Sequence, residues 1–187
     1  MIMEAYSSGQ RVFGENRPQE LAAKAPILPK DIYWHFIGHL QTNKLKLVLP
    51  YVSMVESIDS ERLLRAVADW AVTNGRVIDV LLELHVASEE TKQGFTEEEI
   101  LDLLRQDWPG INFRGLMGMA TNTDDERVIR ADFSRISAFK KRINEEFPSL
   151  TGFDQLSIGM SSDWELALEY GATIVRIGTY IFGDRVY

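Results

Sequence analysis

Residues 153–183 read FDQLSIGMSSDWELALEYGATIVRIGTYIFG, and this stretch contains the pattern that decides the fold. A short apolar strand, FDQLSIGM, is followed by the helix SSDWELALEYG and then by a second strand, TIVRIG. Ser162 and Glu165 predict a capping box where the helix begins, and Gly171 predicts where it ends. Strand and helix therefore alternate here with very little loop between them.

The same alternation runs through the rest of the chain. The other predicted strands are, in order, RVFGEN, IYWHFIGHL, MVESID, VIDVLLELHV and FRGLMGM. Among the helices between them, TEEEILDLLRQDW opens with a capping box of Thr96 and Glu99. Strict alternation predicts a parallel sheet covered by helices, either a doubly wound open sheet or a (β/α)8 barrel.

Length bears on the choice between these two architectures. A barrel usually needs about 250 residues and rarely fewer than ~200, so a chain of 187 residues is short by one strand and one helix. The chain opens with MIMEAY, a helical segment, as expected of a TIM-type barrel truncated at its first strand. We therefore expect a single domain over residues 1–187 with seven strands, in which RVFGEN and TIVRIG border a gap. Their unpaired edges would favour association.

Composition excludes several classes of function. The net charge of −8 argues against nucleic-acid binding, because phosphate backbones need clustered Lys and Arg. The absence of cysteine excludes disulfides, thiolate metal sites and cysteine nucleophiles. No apolar run approaches the ~20 residues of a membrane span, and no signal peptide is recognisable. We expect a cytoplasmic protein that binds neither nucleic acid nor membrane.

The last two predicted strands end in SIGMSSD and RIGTYIFG, which together suggest a phosphate site. Barrels commonly bind phosphate on the loops after strands seven and eight. Ser161 precedes a helix N-terminus, and Gly178 and Thr179 offer backbone N–H groups and a hydroxyl. The alternative is structural: the serine caps the helix and the glycine permits a turn.

Arg176 lies two residues before Gly178, so the two residues share one face of the predicted strand. An inward arginine is costly unless it is paired. Its partner is either a carboxylate, such as Glu15 or Glu56, or a bound ligand, and the residues alone leave both open.

Known catalytic patterns are missing from the sequence. His35 and His39 are spaced like a metal pair, but they fall on a predicted strand and lack a third ligand, so we expect no metal site. His39 could line a ligand pocket, whereas His35 is expected in the core. No dinucleotide fingerprint, P-loop or nucleophile elbow is present, and we assign no catalytic residue.

Several long motifs resemble one protein family over essentially the whole chain. They are FGENRPQE, WHFIGHLQTNK, SIDS, KQGF, GLMGM, LSIGMSSDWELAL and GATIVRIGTYIFGDR. They are similar to motifs of the pyridoxal-phosphate homeostasis protein family, also called YggS-like. The resemblance implies a barrel like the N-terminal domain of alanine racemase, a mostly monomeric protein, bound pyridoxal 5′-phosphate (PLP) and a role in vitamin B6 homeostasis without an established reaction.

The resemblance also implies which residues bind the cofactor. Ser161, Gly178 and Thr179 match the family's phosphate-site positions. Arg176 matches an arginine beside the cofactor, where it would contact the pyridine nitrogen or the phosphate edge. Asn16, in the GEN turn, matches a residue that faces the cofactor.

The resemblance departs from the family pattern at the start of the chain. Family members attach PLP covalently to a lysine at the end of the first strand, in a segment like AVSK, which these 187 residues do not contain. No other lysine is predicted at the end of a strand, and Lys44 is the least unsuitable substitute. We therefore expect PLP to bind noncovalently.

Three functions remain open from the sequence. The first is a PLP-binding homeostasis protein that acts as a carrier or regulator rather than an enzyme. The second is a PLP-dependent amino-acid racemase, which would need two bases on opposite faces of its substrate, one of them usually the cofactor lysine. The third is a truncated, non-functional remnant.

Overall fold

The structure, a computed structural model, describes residues 1–86 and 93–183. Predictions that fall on residues 87–92 or 184–187 lie outside the described residues. Lys92, in the KQGF motif, is one of these residues.

All seven predicted strands are present. Their bounds are β1 Val12–Glu15, β2 Tyr33–Phe36, β3 Val52–Ile58, β4 Ile78–Glu83, β5 Ile111–Met117, β6 Gln155–Met160 and β7 Ile174–Arg176. The helices are α1 Ile2–Ser7, α2 Pro18–Lys24, α3 Leu45–Val48, α4 Glu61–Thr73, α5 Glu97–Leu104, α6 Glu126–Glu146, α7 Trp164–Glu169 and α8 Thr179–Phe182. The predicted alternation of strand and helix is confirmed.

The strands form one sheet in the order β1-β2-β3-β4-β5-β6-β7. The pairings of β1 with β2, β2 with β3, β5 with β6 and β6 with β7 are parallel. A doubly wound sheet reverses its strand order at a switch point, whereas a barrel keeps the chain order. The sequential order therefore favours the barrel type, with β1 and β7 as the two end strands, as the sequence predicted.

Two helix starts show how local sequence shapes the elements. Thr96 and Glu99 form the predicted capping box, in which each side chain accepts a hydrogen bond from the other residue's backbone N–H. Ser60 caps α4 by accepting a hydrogen bond from the N–H of Leu63. Such caps satisfy backbone donors that the helix itself leaves unpaired.

Some predicted bounds were wrong. The helical pattern of QTNKLKLVLPYV, residues 41–52, predicts one helix, but the structure has a 3-10 turn at Thr42–Lys44 followed by the single turn of α3. Pro50 stops that turn, and Val52 already belongs to β3. The capping box of Ser162 and Glu165 is absent: α7 begins later, with Asp163 at its N-cap and no side-chain cap bond.

The described chain packs as two compact units. The first comprises residues 1–80 and 108–112, and its core includes the rings of Phe13 and Trp34, whose centroids are 6.0 Å apart. The second comprises residues 81–107 and 113 onward, and its core includes the fully buried Phe133 and Ile136 of α6. The single-domain description of the chain stays a prediction.

Candidate functional site

The first turn of the candidate site follows β6. The carboxylate of Asp163, which is buried, accepts a hydrogen bond of 2.6 Å from the backbone N–H of Met160 and so folds the turn back on the strand. Gly159 has a φ of +90°, and a Cβ there would lie 2.6 Å from the Cβ of Ala167. Glycine is needed because α7 crosses so close to the strand end. The turn thereby places Ser161 at the carboxyl end of β6.

The second turn follows β7 and meets the first. The backbone N–H of Gly178 donates a hydrogen bond of 3.2 Å to the hydroxyl of Ser161. Thr179, the next residue, opens α8, a short helix where the sequence predicted only a tight turn. Three of the predicted site residues therefore lie side by side although 17 positions separate Ser161 from Gly178.

Both turns present backbone donors. In these two turns, five backbone N–H groups have no acceptor among residues 1–86 and 93–183, namely those of Ser161, Ser162, Trp164, Thr179 and Tyr180. Unpaired N–H groups at turns and helix starts favour anions. We call residues 161–164 and 178–180 together the cradle. Its donor set suits a phosphate monoester.

Arg176 ends β7, and its guanidinium is bonded to a residue inside β6 and to the residue just beyond β5. Nη1 donates to the carbonyl and to the hydroxyl of Ser157, at 2.8 and 2.7 Å, and Nη2 donates to the carbonyl of Gly118 at 3.0 Å. Of the carboxylates considered as its partners, Glu15 contacts Lys24, and Glu56 lies 2.6 Å from the Nδ1 of His35. A pairing of Arg176 with a carboxylate stays a prediction, as does its contact with a ligand.

Ser157 and Gly118 are residues of this site that sequence reasoning missed. Ser157 is fully buried in β6, and Gly118 directly follows β5. A polar residue inside the apolar run LSIGM was the available indication of a buried partner, but it does not reveal which donor would reach it.

Asn16 lies in the first compact unit, in the loop directly after β1. Its backbone occupies the space that a Cβ on Gly38 would need, so the loops after β1 and β2 pack closely. This packing requires glycine at position 38. The role of Asn16 towards a cofactor stays a prediction.

Two histidines, His35 and His39, each lie beside a carboxylate. The Nδ1 of His39 lies 2.7 Å from Asp59, whose other oxygen accepts a hydrogen bond from Ser60. His35 is mostly buried beside Glu56, in keeping with its predicted place in the core. Within the two described ranges, no group of three or more His, Asp or Glu side chains could hold a metal ion.

The lysines differ in their surroundings. Burial alone would lower the pKa of Lys24, but its hydrogen bonds to Glu15 and Glu20 outweigh burial and raise that pKa. Burial lowers the pKa of Lys140, whose ammonium donates to the carbonyl of Asp154 at 2.5 Å. Lys44, the suggested substitute for the family lysine, belongs to the 3-10 turn after β2. No described helix is long and apolar enough to cross a membrane.

Comparison with known proteins gives the family. The family model described as "Alanine racemase, N-terminal domain" matches residues 1–186. The pyridoxal phosphate homeostasis protein of Aquifex aeolicus is 38% identical over 190 residues, covering 100% of this chain and 82% of that protein. The human protein of the same name is 35% identical over 201 residues, covering 100% of this chain and 73% of that protein.

Solved structures agree with these matches. PipY of Synechococcus elongatus PCC7942, solved without PLP, matches with a TM-score of 0.92 and 35% identity over 97% of this chain and 86% of that chain. The same protein with PLP bound matches over the same shares with a TM-score of 0.85 and 34% identity. Alanine racemase of Clostridium difficile 630 matches with a TM-score of 0.68 and 13% identity over 99% of this chain and 48% of that chain, which shows a shared fold.

These matches confirm both the resemblance noted in the sequence and the fold class, a barrel of the alanine racemase N-terminal type. The chain therefore belongs to the pyridoxal phosphate homeostasis protein family.

Proposed function

We propose that this chain binds pyridoxal 5′-phosphate and serves PLP homeostasis as a carrier or regulator. Its curated relatives are named pyridoxal phosphate homeostasis proteins, and PipY, a member with 34% identity, has been solved with PLP bound. The observation that carries the proposal is the hydrogen bond between Gly178 and Ser161, because it joins two turns rich in unpaired N–H donors.

The cradle would hold the phosphate of PLP. The N–H groups of Thr179 and Tyr180 can donate to one side of the phosphate, and those of Ser161 and Ser162 to the other. The hydroxyl of Ser161 accepts from Gly178 and still has its own proton to donate. Hydrogen bonds to an ionised oxygen are about twice as strong as neutral ones, so this donor set favours an anion over water.

The remaining contacts come from the family resemblance. Arg176 would lie beside the cofactor, and Asn16 would face it. PLP, when bound, supplies an electron-withdrawing ring and an aldehyde that reacts with amines. The chain's own residues fix its phosphate.

We propose that PLP binds to these 187 residues without a covalent link to lysine. A reacting amine must be partly neutral, yet acidic partners keep Lys24 charged. The ammonium group of Lys30 donates to the carbonyls of Ala25 and Pro26. Borohydride reduction followed by peptide mass analysis tests this, because one stoichiometrically labelled lysine would show that a substitute exists.

We propose a role without catalysis, in the cytoplasm. The relatives' names describe homeostasis rather than a reaction, which supports a carrier or regulator. Incubation with PLP and single enantiomers of amino acids tests the racemase alternative, since catalysed loss of optical purity would contradict the proposal. We further propose that the free edges of β1 and β7 allow self-association, which sedimentation would detect.

Equilibrium dialysis against PLP is the direct test of the cradle. We expect reversible binding that Ser161→Ala weakens about tenfold, since a hydrogen bond to a charged group contributes about 1.5–3 kcal/mol. Ser149→Ala is the matched control, because Ser149 is exposed and lies outside the cradle. Excess inorganic phosphate should compete with PLP for the wild-type protein. Equal affinities of the wild type and Ser161→Ala would overturn the assignment of the site.

A further inference from the structure

We propose that Arg176 is a positioning residue, which clamps three consecutive strands to one another and thereby holds the two turns of the cradle together. The proposal rests on the proposed function in one respect, namely that the cradle binds phosphate. It assigns Ser157 and Gly118 as the acceptors through which the arginine acts.

The clamp is visible in the hydrogen bonds around β6. The guanidinium of Arg176, on β7, reaches the carbonyl and hydroxyl of Ser157 on β6 and the carbonyl of Gly118 just beyond β5. The N–H of Gly118 also donates to the carbonyl of Ser157, at 3.1 Å. One side chain therefore joins the carboxyl end of β7 to the middle of β6 and to the residue just beyond β5.

β7 needs such a link because its own pairing is sparse. It has three residues, all half-buried, and it lies at the end of the sheet, where β6 is its one neighbour in the strand order. The register between β6 and β7 also shifts between Ser157 and Met160. A short end strand has few ladder hydrogen bonds, so three charge-assisted bonds from one side chain are a large share of what holds it.

The cradle depends on where β7 ends. Gly178, which bonds to Ser161, lies two residues beyond Arg176, and Ser161 lies four residues beyond Ser157. Arg176 and Ser157 therefore connect the two strands shortly before the two turns begin, and Gly178 and Ser161 connect the turns themselves. A planar fork can bridge the carbonyls of two strands, whereas the single ammonium of lysine presents its donors from one point.

Amide hydrogen exchange of the ligand-free protein tests the clamp without PLP. We expect peptides covering residues 174–183 to exchange faster in both Arg176→Lys and Arg176→Gln than in the wild type. Arg130→Gln is the matched control, because Arg130 belongs to the same compact unit but forms exposed ion pairs with Glu126 and Glu169. Ser157→Ala removes one acceptor and should give a smaller change in the same direction.

Dialysis of the same variants against PLP completes the experiment. If Arg176 acts as a clamp, Arg176→Lys and Arg176→Gln should both lose about tenfold in affinity for PLP, because a lysine keeps the positive charge but lacks the planar guanidinium that bonds to two strands. If Arg176 acted only as a charge on the phosphate, Arg176→Lys would keep most of the affinity and its ligand-free exchange would match the wild type. That result would overturn the proposal, as would faster exchange with unchanged PLP affinity. A wild-type chain that binds no PLP would refute the proposed function, and the ligand-free exchange would still decide whether Arg176 clamps the three strands.

Discussion

Two glycines of the candidate site should respond differently to replacement by alanine: Gly159→Ala should lower the stability of the fold, and Gly178→Ala should lower the affinity for PLP. Gly159 is the last residue but one of β6 and packs against α7. Its φ is +90°, and a Cβ there would lie 2.6 Å from the Cβ of Ala167 and 3.1 Å from the Cα of Trp164. Gly178 has a φ of −114°, and a Cβ there would meet no atom within 4 Å. Gly159→Ala therefore tests the packing between β6 and α7. Gly178→Ala tests whether PLP occupies the open space beside Gly178.

The expected magnitudes follow from these surroundings. Gly159→Ala combines overpacking, which costs about 1–3 kcal/mol, with a strained backbone, which costs about 1–2 kcal/mol. Together these amount to about 2–5 kcal/mol, which for a chain of this size lowers the melting temperature by about 4–20 °C. Gly178→Ala creates no clash and should change the free energy of unfolding by less than about 1 kcal/mol. Its methyl group narrows the approach to the N–H groups of Thr179 and Tyr180, so PLP affinity should fall about tenfold.

Thermal unfolding and equilibrium dialysis of both variants provide the assay. Gly178→Ala should unfold like the wild type and bind PLP more weakly, whereas Gly159→Ala should unfold at a lower temperature. The reasoning about packing is refuted if Gly159→Ala keeps the wild-type melting temperature. The assignment of the cradle is refuted if Gly178→Ala binds PLP as tightly as the wild type.

Three further predictions follow from the structure. Gly115→Ala should lower the free energy of unfolding in urea by about 3 kcal/mol, because its Cβ would collide with the backbone of Gln155; an unchanged midpoint would contradict this. Lys140 should react with an amine-directed reagent faster than Lys24 at mildly alkaline pH, since burial lowers the pKa of Lys140 whereas Glu15 and Glu20 raise that of Lys24. Quantitative peptide mapping measures both rates, and a faster reaction of Lys24 would contradict the prediction. PLP affinity should fall as the pH drops from about 7 to 5, because a phosphate monoester gains a proton at pH ~6 and the N–H donors of the cradle favour the dianion. Dialysis across this pH range measures the affinity, and an affinity that rises as the pH drops would contradict the assignment of the cradle.

The sequence determined the elements of this fold because their determinants are local. Alternating apolar strands and amphipathic helices were readable from periodicity, and the capping box of Thr96 and Glu99 from a spacing of three residues. A positive φ angle at Gly171 marks the helix end that this glycine predicted. The family motifs were likewise contiguous stretches, so the fold class and the family could be recognised before any contact was known.

Contacts between residues far apart in the sequence became known only from the three-dimensional structure. The sequence named carboxylates or a ligand as the partner of Arg176 and did not indicate Ser157 and Gly118, which the structure places on its guanidinium. The start of α7 was also misplaced, because the side chain of Asp163 bonds back to Met160 and leaves no capping role for Ser162. Hydrogen-bond partners that lie 17 to 58 positions apart are selected by strand order and register, which no local spacing encodes.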